Sequence, residues 1–116
     1  MANAFKIKTK AGGAVAANTD MTVYTVPAAT TAVIIGLTIA NKVSYSVTVD
    51  VKIESNTVDV ETNVNVNIGQ NLPIPSGSSL DALAGKVVLQ TTDVLKIQSD
   101  TANSVDIALS VMEITP

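Results

Sequence analysis

The chain has no cysteine, histidine, tryptophan or arginine. The lack of cysteine rules out disulfide staples and leaves the redox compartment unmarked. With histidine missing as well, the common zinc and transition-metal sites fall away, together with Ser-His and Cys-His nucleophile pairs. Without histidine no side chain titrates near neutrality unless its surroundings shift it. Without arginine there is no bidentate clamp for phosphate or carboxylate. Aromatic residues make up 3% of the chain, one Phe and two Tyr, too few for a stacking surface for sugars or single-stranded nucleic acid. No apolar run approaches the ~20 residues of a membrane helix, and the first residues lack the apolar core of a signal peptide. No P-loop and no Gly-x-Gly-x-x-Gly motif is present, and the pair Gly12-Gly13 has no phosphate-binding meaning by itself. The expectation is therefore a protein that is not an enzyme, holds no cofactor or metal, and binds neither nucleic acid nor membrane.

The 116 residues suffice for one domain with its own core. Val, Ile and Thr supply about a third of them, which favours strands, because β-branched side chains lose freedom in helices and pack well on pleated surfaces. The net charge of −3 is unevenly placed: Lys6, Lys8 and Lys10 sit in the first ten residues, and the remainder carries four lysines against ten acids. A body of that sign repels polyanions.

The strand pattern is clearest at 31–41. Val33, Ile35, Leu37 and Ile39 fall on one side, and Ile34, Gly36, Thr38 and Ala40 on the other. The first set reads as the core face. The second is too apolar to be left in water, so a neighbouring subunit or the chain's own N-terminus is expected to cover it. Residues 1–20 read as an arm or leader, with Phe5, Ile7 and Thr9 alternating with an outer row of lysines that guards an edge. Residues 21–116 read as the folded domain.

Along that domain, Met21–Val26 forms a strand closed by Pro27. Val47–Ile53 alternates cleanly, with Thr48, Asp50 and Lys52 outward. Glu54–Thr57 is a turn, and Val58–Ile68 a return strand of ~36 Å that needs a bend near Thr62–Asn63. The Pro- and Gly-marked stretch 69–77 reads as a crossing between sheets. Ser78–Ala84 is ambiguous, a short strand being favoured over one helical turn. The tail is a meander, 86–90, 94–98 and 105–114. In its last strand Val105, Ile107, Leu109 and Val111 share one face, and Met112 and Ile114 suggest a switch of face near Val111. About eight strands punctuated every eight to twelve residues predict an all-β antiparallel β-sandwich, of jelly-roll or immunoglobulin-like type.

One row resembles a site: Asp59, Glu61, Asn63, Asn65 and Asn67 share a face of the return strand. Alternate residues lie ~7 Å apart, too far to share one calcium ion without further ligands, so a solvated outer face is the favoured reading, ahead of a subunit contact built on amide hydrogen bonds and, last, a calcium site. The other candidates are subunit contacts, at Phe5, Ile7, Ile34, Thr38, Met112 and Ile114, on the faces a single domain leaves unpartnered.

Tyr24-Thr-Val-Pro-Ala-Ala-Thr-Thr-Ala-Val-Ile-Ile-Gly-Leu-Thr-Ile-Ala-Asn41 resembles the front half of small virion structural proteins of tailed bacteriophages. The segments Ile74–Leu80, Gly85–Leu89, Asp93–Ser99 and Val105–Ile114 resemble the back half. The resemblance lies in strand and turn order over residues 21–115 and transfers no catalytic residue. It implies a virion protein that assembles with itself, as a dimer or trimer, and with other virion proteins. The leading form is a capsid decoration (cement) protein seated over joints between major capsid subunits. A head–tail connector, tail or fibre component is the alternative. Outside that family, a β-sandwich ligand-binding or adhesion module would be expected to carry more exposed aromatics.

Overall fold

The computed structural model describes residues 2–11, 17–55, 65–82 and 86–116. The described residues contain nine strands and no helix: β1 (Ala2–Ala11), β2 (Asp20–Thr25), β3 (Thr31–Asn41), β4 (Val47–Glu54), β5 (Asn65–Ile74), β6 (Ser79–Asp81), β7 (Val87–Leu89), β8 (Val94–Ser99) and β9 (Val105–Thr115). They form two antiparallel sheets packed as a sandwich. One has the order β1-β9-β3-β6, with β7 also paired to β3, and the other has the order β2-β8-β4-β5. The pairs β1·β9, β2·β8, β3·β6/β7 and β4·β5 are nested, so the chain is one long hairpin rolled up on itself. This winding is a jelly roll and not the immunoglobulin-like alternative.

The alternation of β4, β8 and β9 explains the core. Val47, Val49 and Val51 from β4, Leu95 and Ile97 from β8, and Ile107, Leu109 and Val111 from β9 are all buried between the sheets. Polar residues between them face out on β4 and β8. There Lys52 bonds Asp20 (3.0 Å) and Gln98 (2.6 Å), and Lys96 bonds Glu54 (3.0 Å). Buried Asn41 fastens the end of β3. Its Nδ2 donates to the carbonyls of Tyr45 (2.8 Å) and Ile74 (2.9 Å), and its Oδ1 accepts from the Val43 N–H (2.9 Å).

Four sequence expectations change. First, the face of β3 is not continuous. Its pairing with β9 shifts between Ile34 and Gly36, a bulge that inserts one extra residue. Ala32 and Ile34 are buried before the bulge, and Leu37 and Ile39 after it. The bulge leaves Ile35 exposed (43%) and places Ile34 (0%) inside its own sandwich, out of reach of a neighbour. Second, residues 2–11 are not an arm ahead of the sandwich. They pair with β9 along their whole length, from Ala2 opposite Thr115 to Ala11 opposite Asp106.

Third, the face of β9 does not switch at Val111. Glu113 continues the buried row, while Met112 and Ile114 lie half-buried on the opposite side. Fourth, the crossing between sheets occupies a shorter span than 69–77. Residues up to Ile74 belong to β5, an edge strand that tolerates Pro73, and the chain leaves for the other sheet only at Pro75. The short-strand reading of Ser78–Ala84 agrees with β6, where Leu80 pairs with Ile39. The bend at Thr62–Asn63 falls outside the described residues.

The bulge sets up a direct contrast between neighbours. Ile34→Ala is expected to lower the unfolding free energy by about 2–4 kcal/mol, and Ile35→Ala by less than about 0.5 kcal/mol. Urea titration of both variants measures the difference, and equal losses would place the bulge elsewhere.

Candidate functional site

The alternation of β1 has two possible placements, lysines out or lysines in. The register decides it. Residues directly opposite one another in an antiparallel pair share a face, and Lys6, Lys8 and Lys10 stand opposite Val111, Leu109 and Ile107, the buried row of β9. The lysines therefore lie on the inner side, at the rim where β1 passes over β2, and Phe5 and Ile7 lie on the outer side. This reverses the expected outer row of lysines.

The cause is Glu113, buried to 5% exposure on the inner face of β9. Tyr24, on β2 of the facing sheet, donates its phenol hydrogen to Glu113 Oε2 at 2.5 Å. Lys6 reaches diagonally along β1 to Glu113 Oε1 at 2.7 Å. The Lys8 ammonium lies 6.0 Å from the centre of the Tyr24 ring. A slip of β1 by one residue would send Lys6 outward and bring an apolar side chain against the carboxylate. A buried carboxylate that loses a partner is costly, so the cluster pins the register. Half of the Lys6 side chain meets water, so the ion pair itself adds little stability and acts chiefly through this discrimination.

The cluster also shifts the acidity of its members. The hydrogen bond from Lys6, and then that from Tyr24, hold Glu113 below the usual carboxylate range. Burial, and then the bond to Glu113, push the Tyr24 phenol well above its usual value.

With β1 held this way, the outer side of its sheet carries an apolar row across four strands. Phe5 pairs with Met112, Met112 with Val33, and Val33 with Val88. Ile7 stands beside this row opposite Ser110, and Ile35 protrudes from the bulge. Phe5 is 75% exposed, Ile7 67% and Val88 60%. Of the expected subunit contacts, Phe5, Ile7, Thr38, Met112 and Ile114 thus share this outer face and Ile34 does not. Val88 and Ile35 belong to it and were not singled out by sequence. Val88 was hidden because Val87 and Val88 are adjacent and either could face in.

The acid and amide row does not yield a site. Asp59, Glu61 and Asn63 lie outside the described residues, and Asn65 and Asn67 begin β5, opposite Glu54 and Lys52. Other carboxylates have structural uses: Asp50 accepts the Asn71 N–H at 2.7 Å, and Asp106 pairs with Lys42 at 3.2 Å. Among the described residues no group of three or more acids is placed to hold a metal ion. A shallow depression of about 380 Å³ on the outer face, lined mainly by Thr9, Thr38, Ala40 and Ala108, is open and largely apolar.

No family model matches the sequence, and no curated protein does. Solved structures do match. A chain from the work entitled "Bacillus endospore appendages form a novel family of disulfide-linked pili" aligns over 98% of this chain and 87% of its own, with a TM-score of 0.54 and 14% identity. The VP2 subviral particle of infectious bursal disease virus aligns over 94% of this chain and 36% of its own, with a TM-score of 0.38 and 10% identity. The first likeness is one of fold. The disulfide linkage of those pili has no counterpart in a chain without cysteine.

The pinning cluster has a pH signature. A lowered Glu113 contributes stability that is present above the ordinary carboxylate pKa of about 4.3 and is lost as pH falls below it. Burial opposes ionisation of Asp100, but the Thr48 N–H and Thr101 hydroxyl outweigh it, and its lowered carboxyl adds a loss of the same sign. A raised Tyr24 contributes stability that is present below about pH 10 and lost above it. Urea midpoints measured across pH should therefore fall on both sides of a broad plateau. Glu113→Gln is expected to flatten the acid side, and an unchanged acid slope would remove Glu113 from this role.

Proposed function

We propose that the chain is a non-enzymatic structural subunit of an assembled particle. More specifically, it is a virion protein that decorates a capsid by seating over joints between major capsid subunits. The observation that carries this reading is the outer face of the β1-β9-β3-β7 sheet. Its apolar row from Phe5 to Val88 is continuous in a sandwich whose core is already complete without it. Exposed apolar area of this kind marks an interaction surface. The paucity of catalytic residue types supports the same reading, as does the resemblance of residues 21–115 to phage virion proteins. The fold shared with a pilus-forming appendage protein is compatible with a subunit that assembles with its own kind.

The test is where the protein is found. Lysates of the organism or virus that encodes it are fractionated on a density gradient and probed with an antibody to this chain. The expected result is co-sedimentation with particles, and cryo-electron microscopy of that fraction should place density of this size over capsid joints. Density at the neck or tail would move the subunit to another part of the virion. Recovery only as free protein would contradict assembly.

A further inference from the structure

We infer that the outer face of the β1-β9-β3-β7 sheet receives a second copy of this chain, packed sheet on sheet about a two-fold axis that crosses the strands. This rests on the reading of the chain as an assembly subunit and names the surface and the partner.

Charge points to a like surface. The row Phe5, Met112, Val33 and Val88 and the adjoining row of Ile7, Ser110 and Gly36 contain no ionisable group. An uncharged flat face complements another of its kind, and a two-fold contact places the same patch on both partners. The chain's other outer face, with its ion pairs, would lose hydration against such a surface.

Charge also selects the axis. Among the described residues the acids on this face are Asp81 and Asp106, which lie toward one end of the sheet, where Asp81 pairs with Thr38 and Asp106 with Ala40. A two-fold axis running along the strands would bring those ends together and crowd two Asp81 carboxylates beside two Asp106–Lys42 pairs. An axis across the strands sends the acidic end of one copy to the uncharged end of the other. It also lays β1 over β1 and β7 over β7, so Phe5 and Ile7 of one copy meet the same pair of the other. Aligned sheets pack ~10 Å apart in this manner.

Area and register agree. Three strands of ten or eleven residues and the three-residue β7, spaced ~4.8 Å apart, present roughly 550 Å² in projection. The protruding Phe5 and Ile7 raise the accessible area toward the ~800 Å² per partner typical of a stable interface. Edge-on addition through β1 is the rival way to join copies. The lysines on the inner side of β1 oppose it, since inward charge on an edge strand discourages further pairing. The pinned register thus closes the edge and loads the face.

The absence of cysteine makes single-cysteine probes clean. Purified protein is followed by sedimentation velocity from low to high concentration, beside Val88→Cys and Thr22→Cys treated with a short bis-maleimide, and beside Met112→Lys and Val88→Lys. The expected result is a dimer that Val88→Cys traps and Thr22→Cys, on the other sheet, does not. Each lysine variant should keep the parent circular dichroism and weaken the dimer by roughly 100-fold or more, because two like charges meet in a dry contact. Val88→Lys, at an exposed site, decides the matter if Met112→Lys does not fold. An oligomer untouched by Val88→Lys, or trapped through Thr22→Cys, overturns this face while the assembly reading stands. A monomer at every concentration overturns the dimer, and the particle fractionation then decides assembly by itself.

Discussion

A single buried carboxylate organises one side of the molecule. Glu113 lies between the sheets, bonded to Tyr24 across the sandwich and to Lys6 along its own sheet. Removing either partner leaves charge in a place that water does not reach, so the first and last strands have one favourable alignment. That alignment turns the lysines of β1 inward and Phe5 and Ile7 outward. The apolar outer face follows from it, and so does the blunted edge at β1.

The two sheets then divide the work. Both contribute their inner faces to one core built mainly of Val, Ile and Leu. Their outer faces differ. One carries the Lys52–Asp20 and Lys96–Glu54 pairs and is suited to water. The other carries a row of apolar side chains and is suited to a neighbour.

Much of this architecture was legible in the sequence, because period-two alternation in β4, β8 and β9 and the turn residues between strands are local signals. The all-β class, the sandwich and most strand positions came from those signals. The rest depended on partners distant in sequence. At β3, a bulge inserted between Ile34 and Gly36 exchanged the faces mid-strand, and no residue there announces it, since Ile34 and Ile35 are alike. At β1, alternation alone could not say which row faced in, and the deciding group stood at the other end of the chain. The only hint was Glu113 itself, an acid at the inward position after Val105, Ile107, Leu109 and Val111. A face switch seemed the simpler explanation, whereas the strand continues and the acid is buried with two partners.

Intermolecular contacts can be seen directly. Isotope-filtered nuclear Overhauser spectra of a mixture of labelled and unlabelled protein report only side chains that meet across a boundary between copies. The expected cross-peaks come from Phe5, Ile7, Ile35, Val88 and Met112, with none from the Lys52 and Lys96 face. Cross-peaks arising from that charged face, or their absence at concentrations where sedimentation finds dimers, would contradict the central claim that the pinned register of β1 builds an interface.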